Sequence, residues 1–168
     1  MTHWFKFKKI NNIKLKFYIR DNIVNLNSID SKSKSILIFS NSAMIFTILA
    51  HDADHIRQAY NCGFIIPGML WLVNILVYLP NLYALKLSFQ RKSNAAQVTA
   101  IGSLSIAFLF AKVHLWKPFF PIWGMWNKTF FELNADAISW TILALTVLMG
   151  VFTAMASCWV MGRQSLQH

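Results

Sequence analysis

The chain of 168 residues is strongly apolar, with 56% hydrophobic and 13% charged side chains and a formal net charge of +10. An average soluble domain carries about twice that share of charged residues, so this composition indicates a chain that lies in lipid. The positive charge does not indicate nucleic-acid binding, because eight of the sixteen Lys and Arg precede Ser35 and no nucleic-acid-binding motif accompanies them. We therefore expect the lipid bilayer as a partner, and no nucleic acid.

Residues 1–34 form a basic tail in which Lys and Arg alternate with aromatic side chains such as Trp4, Phe5 and Phe7. The tail has no compact apolar core ahead of a small-residue cleavage site, which argues against a cleaved signal peptide. We expect a disordered tail on the cytosolic side of the membrane. A basic amphipathic segment that lies on the membrane surface is the alternative.

Four apolar blocks follow the tail, and each is near the length of about 20 helical residues that crosses a bilayer. The predicted spans are 36–60, 64–85, 97–116 and 137–161, within a single all-α membrane domain that covers residues 35–168. The first block is largely apolar only from Ile36 to Ala50, about 22 Å of helix. It crosses fully only if the helix continues through HDADHIRQAY, so three crossings are the alternative to four.

The distribution of positive charge predicts the orientation of the bundle. The basic tail, the loop at 86–92 and Arg163 would share one face, which the positive-inside rule makes cytosolic. Both termini are then cytosolic in a multi-pass protein. Cys62 and Cys158 fall near opposite faces in this topology, so we expect no disulfide between them.

Alternating crossings bring the end of the first span, the end of the third and the start of the fourth to the non-cytosolic face. These places hold most of the unusual polar residues of the chain. At the end of the first span, positions spaced by three and four residues share one helix face; they are His51, Asp54, His55 and Gln58. Two His at i and i+4 can bind one metal ion.

Lines of mainly small residues predict which faces of the third and fourth spans are directed into the bundle. In the third span, Ser103, Ala107 and Ala111 recur every four residues, and His114 continues their line. The line in the fourth span comprises Asp136, Leu143, Gly150, Ala154 and Ser157. Because membrane helices approach each other closely at small residues, we expect His114 and Asp136 to face the bundle interior. An ionisable residue in that position is a candidate for function.

These polar residues predict a metal or cofactor site. The metal ligands would be His51, Asp54, His55, His114 and Asp136, a mixed nitrogen and oxygen set that suits zinc, copper or iron. Residues around those ligands would be Gln58, Glu132 and Asn134. A b-type haem between His114 and either His51 or His55 is the alternative cofactor, although it leaves the aspartates unexplained. Ordinary interfacial polarity and a proton or ligand relay are the other interpretations of this cluster.

Three further features lie in the connection between the third and fourth spans and in the second span. The connection at 117–136 is rich in Trp and Phe, which is typical of an interfacial anchor, and a lid over the polar cluster is the alternative. Asn127 opens a glycosylation sequon, which matters only in a secretory-pathway protein. Asn74 and Asn81 share one face of the second span and are expected to bond across helices.

The sequence contains no phosphate-binding glycine loop, nucleophile elbow or HExxH motif. Glu132 is the one spare carboxylate in the connecting loop that could act as an acid or base, so a binding protein is favoured over an enzyme. The first hypothesis is a membrane bundle with a metal or cofactor site at its non-cytosolic end. The second is an accessory subunit that docks onto other membrane protein subunits of a larger complex and has no site of its own.

Overall fold

The computed structural model describes residues 28–117 and 127–166, which form four long helices. They are α1 (Ser31–Cys62), α2 (Gly68–Phe89), α3 (Ala95–Trp116) and α4 (Ala137–Ser165). Each helix is long and apolar enough to cross a membrane. The prediction of an all-α bundle of four such helices is confirmed across the described ranges. Most of the basic tail and the middle of the aromatic loop, 118–126, lie outside the described residues, so the predictions made for them stay predictions.

The first helix, α1, is continuous through the polar run HDADHIRQAY, so the apolar stretch from Ile36 to Ala50 makes up only about half of it. Asp30 caps its start by accepting a hydrogen bond from the backbone N–H of Ser33 at 2.9 Å. Gly63 ends the helix with a φ of 67°, a left-handed conformation that glycine adopts without a steric penalty. The 32 residues of α1 span about 48 Å, which exceeds the hydrocarbon core of a bilayer.

The second helix, α2, begins at Gly68 and ends at Phe89, four residues later at each end than the predicted span 64–85. Gly63 ends the preceding helix, and Pro67, which has no backbone N–H, occupies the residue before α2. The chain between these two residues is therefore not helical. Lys86 lies in the last turn of α2, where a cation is favourable near exposed carbonyl groups.

A layer of buried amide and hydroxyl side chains joins α1, α2 and α3 inside the bundle. Asn41 donates through Nδ2 to Oγ1 of Thr99 at 3.0 Å. Asn81 donates through Nδ2 to Oδ1 of Asn41 at 3.0 Å and to Oγ of Ser103 at 3.2 Å. The predicted cross-helix bonding of Asn81 is confirmed, and these bonds fix the register of three helices.

Glycines allow the third helix, α3, to lie close to both of its neighbours. A Cβ atom on Gly102 would lie 2.9 Å from Cβ of Pro80 in α2. A Cβ atom on Gly150 would lie 2.8 Å from both Cβ of Ala107 and the backbone oxygen of Ser103. The contact between α3 and α4 thus uses residues from both predicted lines.

Replacing Gly150 with alanine is expected to destabilise the bundle by about 1 to 3 kcal/mol, because the added methyl group meets backbone that cannot move aside without separating α3 from α4. Thermal unfolding of the detergent-purified protein measures the loss. Gly162→Ala is the matched control, since open space surrounds that glycine on the same helix. Equal stability of the two variants would contradict close packing at Gly150.

The end of the bundle that holds the start of α1 is closed by side chains. Ile29 is only 1% exposed and packs among apolar residues of all four helices; they are Leu37, Leu87, Ala95, Ala96 and Val160. Arg163 donates to a carboxylate oxygen of Asp30 at 3.0 Å and ties the end of α4 to the start of α1.

Candidate metal centre

Three histidines meet at the opposite end of the bundle. His51 and His55 lie one turn apart on α1, and His114 lies near the end of α3. One ring nitrogen from each lies within 4.8 Å of the other two. The ring centroid of His51 is 4.7 Å from that of His55 and 4.8 Å from that of His114. The helical spacing on α1 and the alternation of the crossings thus bring these three side chains together.

The closest pair of histidine nitrogens has a separation that suits a shared ion. Nε2 of His51 lies 3.2 Å from Nε2 of His114. A tetrahedral ion with metal–nitrogen bonds of about 2.0 to 2.1 Å holds its ligand nitrogens about 3.3 Å apart. An N–H···N hydrogen bond also has this length, so the pair can close on a metal or bond directly to itself.

A backbone carbonyl orients the imidazole of His114. Its Nδ1 atom lies 2.8 Å from the carbonyl oxygen of Phe110, one turn earlier on α3. Because a carbonyl only accepts, Nδ1 must carry the proton and donate. Nε2 of a neutral His114 then presents a lone pair towards His51. Metal-ligating histidines are commonly held in this way, with one nitrogen on the ion and the other bonded to backbone.

Aromatic side chains enclose the cluster. The ring of Phe110 packs edge-on against His51 with centroids 4.4 Å apart, and the ring of Phe130 packs against His114 with centroids 4.6 Å apart. The backbone N–H of Phe130 also donates to the carbonyl oxygen of His114 at 2.8 Å, which seats the loop on the end of α3. His51 and His114 are consequently buried. Sequence reasoning did not identify either phenylalanine, although Phe110 lies one turn before His114.

Arg57, beside the histidines on α1, holds the two predicted aspartate ligands. Its guanidinium donates to Asp54 at 2.8 Å and to both carboxylate oxygens of Asp136, at 2.7 and 2.9 Å. Gln58 donates to the other oxygen of Asp54 at 2.7 Å. Within 28–117 and 127–166, the group that could hold a metal contains the three histidines and no carboxylate.

The expectation that Asp136 faces the bundle interior was wrong. Its side chain is 51% exposed. Asp136 precedes the first residue of α4 and accepts a hydrogen bond from the backbone N–H of Ser139 at 3.0 Å. A short carboxylate at this position satisfies a backbone donor that the helix leaves free, and this capping role draws it away from the core.

The charge of Asp136 is well stabilised in the folded protein. Hydrogen bonds from Arg57, and then from the backbone of Ser139, hold the pKa of Asp136 well below its ordinary value of 3.8. A lowered pKa means that the folded state favours the ionised form. This contribution to stability is therefore fully present above pH 4, and it is lost only as the pH falls from there through the lower pKa of the folded state.

The residues predicted to surround the ligands have different positions. Gln58 contacts Asp54 and also donates to Oγ of Ser139 at 2.7 Å. Glu132 lies in the loop and pairs with Lys117 at 2.8 Å, and hydrogen bonding from that lysine lowers the pKa of Glu132. Asn134 is exposed in the same loop with a φ of 51°.

A second polar contact joins α1 to α2 beside the cluster. The hydroxyl group of Tyr78 and Nδ2 of Asn74 both donate to the carboxylate of Asp52, and the Asn74 bond is 3.3 Å long. The predicted cross-helix bonding of Asn74 is thus found as well. Tyr78 was not identified from the sequence, although it lies one turn after Asn74 on the same helix face.

The haem alternative does not fit the close histidine pair. Axial imidazole nitrogens on opposite sides of an iron ion lie about 4 Å apart, twice a metal–nitrogen bond, with the flat macrocycle between them. The Nε2 atoms of His51 and His114 are 3.2 Å apart, and Phe110 packs directly against the His51 ring. His55 does not provide the opposed geometry either, because its ring is stacked on that of His114 with centroids 5.3 Å apart.

Comparison of the chain with protein-family models, with curated proteins and with solved structures finds no match. A proposal for the function of this chain therefore rests on the geometry of the site.

Proposed function

We propose that this chain is a multi-pass membrane protein that binds one transition-metal ion through His51, His55 and His114. The convergence of three imidazoles from two helices carries the proposal. Imidazole nitrogens suit zinc, copper, iron and nickel. Zinc held by three histidines keeps a fourth position for water or a ligand, so the site would be open rather than purely structural.

The outer surface of the bundle supports a location in lipid. Large apolar side chains are exposed on all four helices; examples are Phe39, Leu76, Phe108 and Phe152. A surface of this kind is unfavourable in water and normal against acyl chains. With the basic end of the bundle on the cytosolic side, the metal would be bound near the non-cytosolic face.

The arrangement around His114 supports metal binding over simple packing. The bond to the Phe110 carbonyl leaves Nε2 of His114 as the lone-pair atom, which is the tautomer that a metal ligand at this position needs. His51 contributes a second observation, because its Nε2 atom lies 3.2 Å from Nε2 of His114 inside the bundle. One metal ion could therefore accept the lone pairs of both buried nitrogens.

Metal analysis of detergent-purified protein tests the proposal. We expect about one equivalent of zinc, copper or iron in the wild-type protein after metal loading and dialysis, and less than about a tenth of that in His114→Ala. His168→Ala is the matched control, since it removes one histidine from the carboxyl end of the chain and should leave the metal content unchanged.

A negative result of the metal analysis would also distinguish the two hypotheses. Wild-type protein that stays metal-free after loading would overturn the metal proposal and favour the accessory-subunit hypothesis. His55→Gln provides a second variant in case His114→Ala fails to fold. Circular dichroism and gel filtration of each variant separate loss of metal from loss of structure.

A further inference from the structure

An apolar cavity lies directly beside two of the three histidines. It has a volume of about 170 Å³, and His55 and His114 form part of its wall. Most of the remaining wall is aliphatic or aromatic and comes from α2, α3 and the loop before α4; it includes Leu70, Val73, Val77, Leu109, Val113 and Phe130. The cavity therefore combines an apolar interior with imidazole groups at one side.

The packing of α2 explains why this space exists. All the buried residues of α2 follow Pro80; they are Asn81, Ala84, Leu87 and Ser88. At Pro80 the helix touches Gly102 of α3, and the half of α2 that precedes this contact has no fully buried residue. The two helices are thus closely packed at one end and leave a space between them at the histidine end.

Few polar groups reach this cavity. Apart from the two histidines, the polar side chains in its wall are Gln58, Asn74 and Lys128. Gln58 already donates to Asp54 and Ser139, and Asn74 already donates to Asp52. Lys128 is exposed at the surface, so a guest molecule inside the cavity would find its main polar partner at the histidines or at an ion that they hold.

We propose that the cavity binds a small, mainly apolar molecule, about the size of one or two fused rings, with one donor atom directed at the histidine-bound metal. This inference rests on the proposed function, since the metal supplies the polar contact. An engineered cavity of about 150 Å³ with apolar walls binds benzene, so the volume here suits a guest of that class. The guest would occupy the fourth metal position that three histidines leave open.

Cobalt-substituted protein allows a direct test, because the visible bands of Co²⁺ report a change of ligand. Titration with benzimidazole, an apolar fused ring with a nitrogen donor, is expected to shift these bands. Val77→Phe should fill the cavity and weaken benzimidazole binding at least tenfold with cobalt content unchanged. Val151→Phe, on the outward face of α4, is the matched control and should bind benzimidazole as the wild type does.

A second measurement does not depend on metal. In metal-free Val113→Cys protein that also carries Cys62→Ser and Cys158→Ser, benzimidazole should slow the reaction of the thiol with methyl methanethiosulfonate at least twofold. Unchanged cobalt bands together with an unprotected thiol would overturn the cavity proposal. A protected thiol in protein that never binds metal would instead overturn the proposed function and leave an apolar binding cavity.

Discussion

Saturation with zinc is expected to raise the free energy of unfolding by about 2.7 kcal/mol when free zinc exceeds its dissociation constant a hundredfold. The reason is that the ligands come from α1 and α3, which meet only in the folded bundle, so zinc binds the native state in preference to the unfolded chain. Thermal unfolding in detergent, with zinc or with a chelator, measures the difference.

The zinc effect should depend on the cluster and on pH. His55→Gln is expected to lose most of the stabilisation by zinc. Gln164→Ala should keep it, because Gln164 lies in the last turn of α4, at the end of the bundle far from the histidines. Metal binding requires neutral imidazole, so protonation competes with zinc and the stabilisation should decrease at low pH. The same zinc-induced shift in wild type and His55→Gln would mean that zinc binds elsewhere.

Arg57→Gln is expected to lower the free energy of unfolding by about 3 kcal/mol, at the lower end of the cost of breaking a buried ion pair. Asp54 has a side chain that is only 2% exposed, so removal of the guanidinium leaves a buried carboxylate without its cation. We use the lower end of that energy range because the side chain of Arg57 is itself 32% exposed. Chemical or thermal unfolding at neutral pH provides the measurement.

The matched control for this prediction is Arg163→Gln at the other end of the bundle. Arg163 and Asp30 are each 33% exposed, and such surface pairs contribute about 0 to 1 kcal/mol. A double variant, Arg57→Gln with Asp54→Asn, should recover part of the lost stability because it removes the buried charge as well. Equal losses in Arg57→Gln and Arg163→Gln would show that Asp54 does not need its partner.

Sequence periodicity was informative wherever one helix carried the whole pattern. The spacing of His51 and His55 predicted a shared face, and both side chains join the cluster. His114 could be placed at the same end because successive crossings must alternate. The lines of small residues predicted faces that lie inside the bundle, and Gly150, Ala107 and Ser103 from these lines meet where α3 packs against α4.

Residues at helix boundaries were harder to predict because several roles compete there. Asp136 looked like an inward-facing carboxylate when its line was extended from α4, but it caps that helix and pairs with Arg57. The position of Phe130 against His114 depends on how a long loop returns to α3, which no local pattern encodes. The predicted start of α2 was four residues too early because the chain between Gly63 and Pro67 is not helical.

The two ends of the bundle also differ in how they could exchange small molecules with their surroundings. Ile29 and its neighbours fill the end at the start of α1, whereas the histidine end holds a cavity between α2 and α3. Between them lies the buried layer formed by Asn41 and Asn81. Across the described ranges, the bundle is therefore filled by side chains at one end and has an internal space at the histidine end. A metal ion bound as proposed would be separated from the basic end of the bundle by this buried layer and by the side chains around Ile29.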